Sequence, residues 1–141
     1  MHVVIFADRL GRELEPLTDR TCVALLPVAG KPVLEHTLEA LVAAGLREAV
    51  IAISPFAEEL RAIFGAGQRW GMRLDYVLTQ GEEDPEMIVD RLRARLGEEL
   101  LLLRGDMLHG VDLAGFLAEA GDQARPIAYG KASGAPVSLC R

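Results

Sequence analysis

The sequence predicts an α/β domain of three layers, α/β/α, with helices on both faces of a mostly parallel sheet, and three observations predict it. Short apolar runs alternate with stretches of helical period, the pattern of parallel strands joined by crossover helices. The strand runs lack polar alternation, as expected of strands covered on both faces. Half of the 141 residues are hydrophobic, enough to bury a core without disulfides or metals.

In chain order, His2 to Ala7 reads as the first strand. No basic stretch precedes it and Asp8 ends the apolar run too early for a secretory signal. Leu34, Leu38, Leu41 and Val42 recur at i, i+4, i+7 and i+8, which gives a helix opening after Pro32 and closing near Gly45. Ala49 to Ser54 is a second strand. Phe56, Leu60, Ile63 and Phe64 then repeat the helical pattern between Pro55 and Gly65. Leu74 to Leu78 is a third strand, Ile88, Leu92 and Leu96 mark a helix stopped at Gly97, and Leu100 to Leu103 is a fourth strand. Leu113, Phe116, Leu117 and Ala120 form a last amphipathic helix, with Asp112 as its N-cap and Gly121 as its stop. Pro126 to Tyr129 is a final strand. The residues after it carry Gly, Pro and Ser with little periodicity, so the domain is read as residues 1–131 and a loose tail as 132–141.

Composition narrows the function. A formal net charge of -6, with fifteen Lys and Arg residues scattered along the chain, argues against nucleic acid as a partner. Phosphorylated small molecules remain compatible, because a few backbone N–H groups and one or two cations bind them locally. No apolar run approaches the about 20 residues of a membrane span. The two cysteines, Cys22 and Cys140, lie outside any Cys-x-x-Cys pair, which points to a reducing cytoplasm and away from structural zinc. His2, His36 and His109 form no triad or cluster in the sequence.

The segment from Asp8 to Lys31 exceeds an ordinary βα connection of about 2 to 6 residues. It falls at the carboxyl edge of the sheet, where open α/β folds bind ligands. Phe6-Ala7-Asp8-Arg9-Leu10-Gly11-Arg12-Glu13-Leu14-Glu15-Pro16-Leu17-Thr18, then Leu25-Leu26-Pro27-Val28-Ala29-Gly30-Lys31-Pro32, and later Leu103-Arg104-Gly105-Asp106, carry a resemblance. They resemble the signature of nucleoside-diphosphate-sugar pyrophosphorylases, the sugar-1-phosphate nucleotidyltransferases. That family's pattern is G-x-G-T-R-L-x-P-L-T, then P-K-x-L-L-P-V-x-G-K-P, then a Gly-Asp pair. The resemblance runs from residue 1 to about 115. It implies a Rossmann-like nucleotidyltransferase half, with nucleotide or sugar nucleotide as ligand, Gly11, Lys31 and, on a shifted loop register, Arg12 toward the nucleotide, and Asp106 holding Mg2+. It also implies synthesis of an NDP-sugar from a nucleoside triphosphate and a sugar-1-phosphate.

The departures bear directly on that chemistry. Arg9 stands where the pattern has its first glycine, and Glu13 aligns with the loop arginine that would neutralise the leaving pyrophosphate. Two unit charges about 4 Å apart at an effective dielectric of about 20 interact by roughly 4 kcal/mol, so an acid there opposes the reaction. Arg12 supplies the cation if the loop shifts its register, and is otherwise a solvated loop charge. Cys22-Val23 replaces Pro-Lys. Leu25 to Pro32 keeps its scaffold, with Lys31 serving either position or ligand contact. Gln80 to Glu86, where the family has a base-reading loop, carries four acids and reads as an acidic turn capping the helix from Pro85. Asp106 suits a hard cation bridging phosphate oxygens, or caps the turn after it. The family's second metal-binding acid and its acceptor half fall beyond residue 141.

Three readings result. The first is a catalytically impaired nucleotidyltransferase-like domain, a pseudoenzyme serving as a nucleotide-binding, regulatory or partner module. The second is an active transferase, either minimal or completed by another chain. The third is an interaction protein with no nucleotide site. An open sheet edge also favours a homo-oligomer or a partner protein.

Overall fold

The chain runs β1 (His2–Ala7), the short strands β2 (Pro27–Val28) and β3 (Lys31–Pro32), α1 (Val33–Ala43), β4 (Glu48–Ile53) and α2 (Glu58–Phe64). It continues through β5 (Arg73–Leu78), α3 (Pro85–Leu92), β6 (Leu100–Arg104), α4 (Leu113–Gly121), β7 (Ile127–Ala132) and β8 (Ala135–Cys140). This computed structural model describes residues 1–54, 58–110, 112–121, 127–132 and 135–140, the last two stretches as backbone. Pro55, Phe56 and Pro126, which the sequence assigns to element starts, lie outside the described residues.

One sheet holds six strands in the order β5-β4-β1-β6-β8-β7. The first four are parallel, with Val4 opposite Val50, Ile5 opposite Leu103 and Ile51 opposite Tyr76. From β1 the chain steps outward to β4 and β5, then returns to the other side of β1 as β6. The strand order therefore reverses between β1 and β6, which creates a crevice at their carboxyl ends.

Strand alternation sorts the core into two faces. Val3, Ile5 and Ala7 pack with Leu34, Leu38 and Leu41 of α1, Leu60 and Phe64 of α2, and Leu113 and Ala120 of α4. Val4 and Phe6 face the other way, onto Ile88 and Leu92 of α3. The three layers predicted from sequence are thus α1, α2 and α4, the sheet, and α3. Leu34, Leu38 and Leu41 are fully buried; each contributes about 1.5–3 kcal/mol relative to an exposed position. Among the described residues no helix is long and apolar enough to cross a membrane.

The structure differs from the sequence reading inside the long loop, where β2 and β3 pair antiparallel, and in two further elements. The third helix stops at Leu92 instead of running to Gly97, and the Arg95 N–H bonds the Leu92 carbonyl three residues back at 2.8 Å. Leu96 still packs on the second core face, so its apolar spacing is satisfied by a turn. The segment read as a loose tail contributes β8, which pairs antiparallel with both β6 and β7. Pro136 lies opposite Lys131 of β7 and ahead of Ser138, where the pairing with β6 begins. β8 occupies the flank of β6, and among the described residues the sheet edges are β5 and β7.

Candidate functional site at the switch point

The ends of β1 and β6 deliver Asp8-Arg9 and Gly105-Asp106 side by side. Gly105 makes this approach possible: its N–H bonds the Phe6 carbonyl at 2.8 Å, and a Cβ there would lie 2.8 Å from Ile5 Cγ2. Asp106 then sits at the bottom of the crevice, with its side chain 1% exposed. Its Oδ1 accepts from Arg104 Nε at 2.8 Å, and its Oδ2 accepts from Arg104 Nη2 at 2.6 Å and Arg9 Nη1 at 3.2 Å. Burial alone would raise this carboxyl's pKa. The Arg104 hydrogen bonds and charge, with Arg9 behind them, outweigh burial and hold it below the ordinary carboxylate value. Both guanidiniums are shifted upward, chiefly through the same hydrogen bonds to Asp106.

Arg9 also pairs with Glu13, so the acid found in place of the loop arginine is neutralised inside the loop itself. Gly11 is buried and left-handed, φ +66°. A Cβ at this position would come within 2.3 Å of Val23 Cγ2, and the Thr18 hydroxyl donates to the Gly11 carbonyl at 2.7 Å. Gly11 therefore lets the loop pack against the Val23–Leu25 turn.

The acidic turn closes over the same loop. Glu82 Oε1 accepts from the Leu10 N–H at 3.2 Å, and the Glu82 N–H bonds the Asp8 carbonyl at 3.1 Å. Asp8 is 6% exposed, and its Oδ2 accepts from the Thr79 hydroxyl at 2.9 Å and the Glu83 N–H at 3.2 Å. Asp84 caps α3 as predicted, accepting from the Glu86 N–H at 3.0 Å. Beyond that cap, the acids tie two loops together, a role that sequence reasoning missed.

Two cavities open at this edge. The larger, about 480 Å³, is lined by Arg9, Arg12 and Arg20, by the polar Thr18, Thr21 and Ser54, and by Leu10, Glu15, Asp19 and Cys22. The smaller, about 260 Å³, is lined by Phe6, Asp8, Arg9, Glu82, Glu83, Pro85 and Arg104. Cations outnumber acids around the first and acids outnumber cations around the second, so an anion fits the first better. Arg9 borders both.

Of the residues singled out from sequence, Gly11 and Arg12 share the loop, and Asp106 joins it through Arg9. Lys31 lies apart on β3, where its Nζ reaches Glu39 Oε1 on α1 at 2.5 Å, and it lines neither cavity. The Ala29-Gly30 turn between β2 and β3, with both φ positive, sets that lysine facing the helix. His109 Nε2 lies 2.6 Å from the Arg104 carbonyl, and burial lowers its pKa. Arg104 was given no role of its own in the sequence, although its place two residues before Asp106 at a strand end was the available signal.

The magnesium implied for Asp106 does not fit this arrangement. Both carboxylate oxygens receive guanidinium N–H bonds, and a hard cation needs several oxygen ligands. Among the described residues no group of three or more His, Cys, Asp or Glu side chains is placed to hold a metal ion.

A mostly parallel sheet whose order reverses at β1 and β6, with a long loop over the crevice there, defines a Rossmann-like class of fold. Within that class, the model of the nucleotidyl transferase family matches residues 2–136, and the chain belongs to that family. It is 31% identical over 140 residues to a glucose-1-phosphate thymidylyltransferase of an Actinoplanes species, covering 96% of this chain and 46% of the relative. It is 31% identical over 121 residues to a mannose-1-phosphate guanylyltransferase of Mycobacterium tuberculosis, covering 81% of this chain and 32% of that protein. A Bacillus anthracis structure assigned as a glucose-1-phosphate thymidylyltransferase, in complex with sucrose, superposes with a TM-score of 0.84 at 21% identity over 92% of this chain and 53% of its own. The chain spans less than half the length of these curated relatives.

Proposed function

We propose that this chain is a nucleotide-binding module of the nucleotidyl transferase family whose own transfer chemistry is impaired, acting in the cytoplasm as a regulatory or partner domain. The cleft of about 480 Å³, with Arg9, Arg12 and Arg20 beside three hydroxyl-bearing residues, carries this reading. It has the charge and donors for a phosphorylated ligand such as a nucleotide or sugar nucleotide. Impairment is supported by the pairing of Arg9 with Glu13 and Asp106, which commits that cation within the loop. Arg12 is the cation we assign to the ligand.

A thermal-shift screen of nucleoside triphosphates and sugar nucleotides, with and without magnesium, tests this directly. A ligand at a hundred times its Kd stabilises the native state by about 2.7 kcal/mol. The expected outcome is a shift with at least one nucleotide, reduced in Arg12→Ala, together with no pyrophosphate release when sugar-1-phosphate is added. Silence across the whole panel would instead support an interaction protein lacking a nucleotide site. The family match over residues 2–136 favours a second reading, an active transferase that is minimal or is completed by another chain. Pyrophosphate release from a nucleoside triphosphate and a sugar-1-phosphate would establish it.

A further inference from the structure

Asp106 occupies the place where the family resemblance calls for a metal, yet all its interactions described above are with arginine. Arg104 approaches as a fork, Nε on one oxygen and Nη2 on the other, which is the bidentate geometry that matches a guanidinium to a carboxylate. Arg9 adds a third hydrogen bond from the loop. The carboxylate is sealed from solvent at 1% exposure, whereas the two arginine side chains are 38% and 36% exposed. A divalent ion would have to displace at least one guanidinium and settle beside the other, against its charge.

We infer that Arg104 is the resident counter-ion of Asp106, a guanidinium in the position of a divalent cation, so that this carboxylate is closed to metal and anchors the two arginines instead. Asp106 is on this assignment a positioning residue. It fixes Arg104 in the smaller cavity and Arg9 on the wall shared by both. The inference concerns the carboxylate alone and stands whether or not a nucleotide occupies the larger cleft.

The test uses the intact chain and Mn2+ alone, with free Mn2+ followed by its electron paramagnetic resonance signal. Wild-type protein is expected to remove no more Mn2+ from solution than Asp106→Asn does. The double variant Arg9→Gln/Arg104→Gln, confirmed folded by circular dichroism, removes both guanidiniums from the carboxylate beside the cavity lined by Asp8, Glu82 and Glu83, and is expected to remove more Mn2+ from solution than wild type. Adding Asp106→Asn to that variant abolishes the gain. Mn2+ binding by the wild type that disappears in Asp106→Asn would overturn the inference, and this comparison holds even if the double variant does not fold. A folded double variant that binds no more Mn2+ than wild type would equally overturn the role given to the arginines.

Discussion

The two ends of the sheet carry the same chemistry in different surroundings. At the amino end, Arg73 pairs with Glu48 at 2.9 Å and Arg95 with Asp75 at 3.3 Å, and all four side chains are more than half exposed. They border a cavity of about 210 Å³ beside His2. At the carboxyl end, Arg104 and Arg9 meet a carboxylate with almost no exposure. Exposed pairs trade water for each other at nearly no net gain, whereas a buried carboxylate depends on its partners. Position at the switch point, and not the presence of an ion pair, thus makes one end the candidate site.

The sharpest way to break this contrast is to delete one acid from each end. Asp106→Ala leaves two guanidiniums without their shared acceptor and is expected to cost about 3 kcal/mol in urea unfolding, at the low end for a buried pair because both arginines are partly exposed. Glu48→Ala is the control and should stay within about 0.5 kcal/mol. Next in size is Gly105→Ala, which crowds Ile5 and Ala7 and should cost about 2 kcal/mol while displacing Asp106. Unchanged stability there would show that the crevice floor relaxes freely.

Acid separates the two ends further. The Asp106 carboxyl has a pKa below its ordinary 3.8, so its stabilising contribution is complete above pH 3.8 and disappears as pH falls through the folded-state value. His109, lowered from 6.5 by burial, acts earlier: protonation favours the unfolded chain, so stability starts to fall as pH drops below 6.5. His109→Gln should remove that earlier decline and leave the later one, as read by thermal unfolding across pH.

The scaffold was legible because its signals are local. Unbroken apolar strands and the Leu34-Leu38-Leu41 spacing each report burial within one element, and the stop at Gly45 and the cap at Asp112 were read the same way. β8 was missed because Gly, Pro and Ser were weighed against order, while β6, the strand that ties it into the main sheet, is remote in sequence. The site was legible by half. Its place in the long loop, Gly11 and Asp106 followed from the resemblance. Arg9 was read only as an intrusion on a glycine-rich loop, because its partner lies 97 residues away and only the reversal of strand order brings them together. Arg104 was within reach, two positions from Asp106, but the family pattern drew attention to the Gly-Asp pair beside it.

The antiparallel return of β8 has a practical side. His2 pairs with Leu100, and Leu100 with Cys140, so the first and last described strand residues lie on the same rim, about 10 Å apart across two strand spacings. The crevice opens on the opposite rim. A fluorophore or affinity handle placed next to either residue would leave the cleft unobstructed.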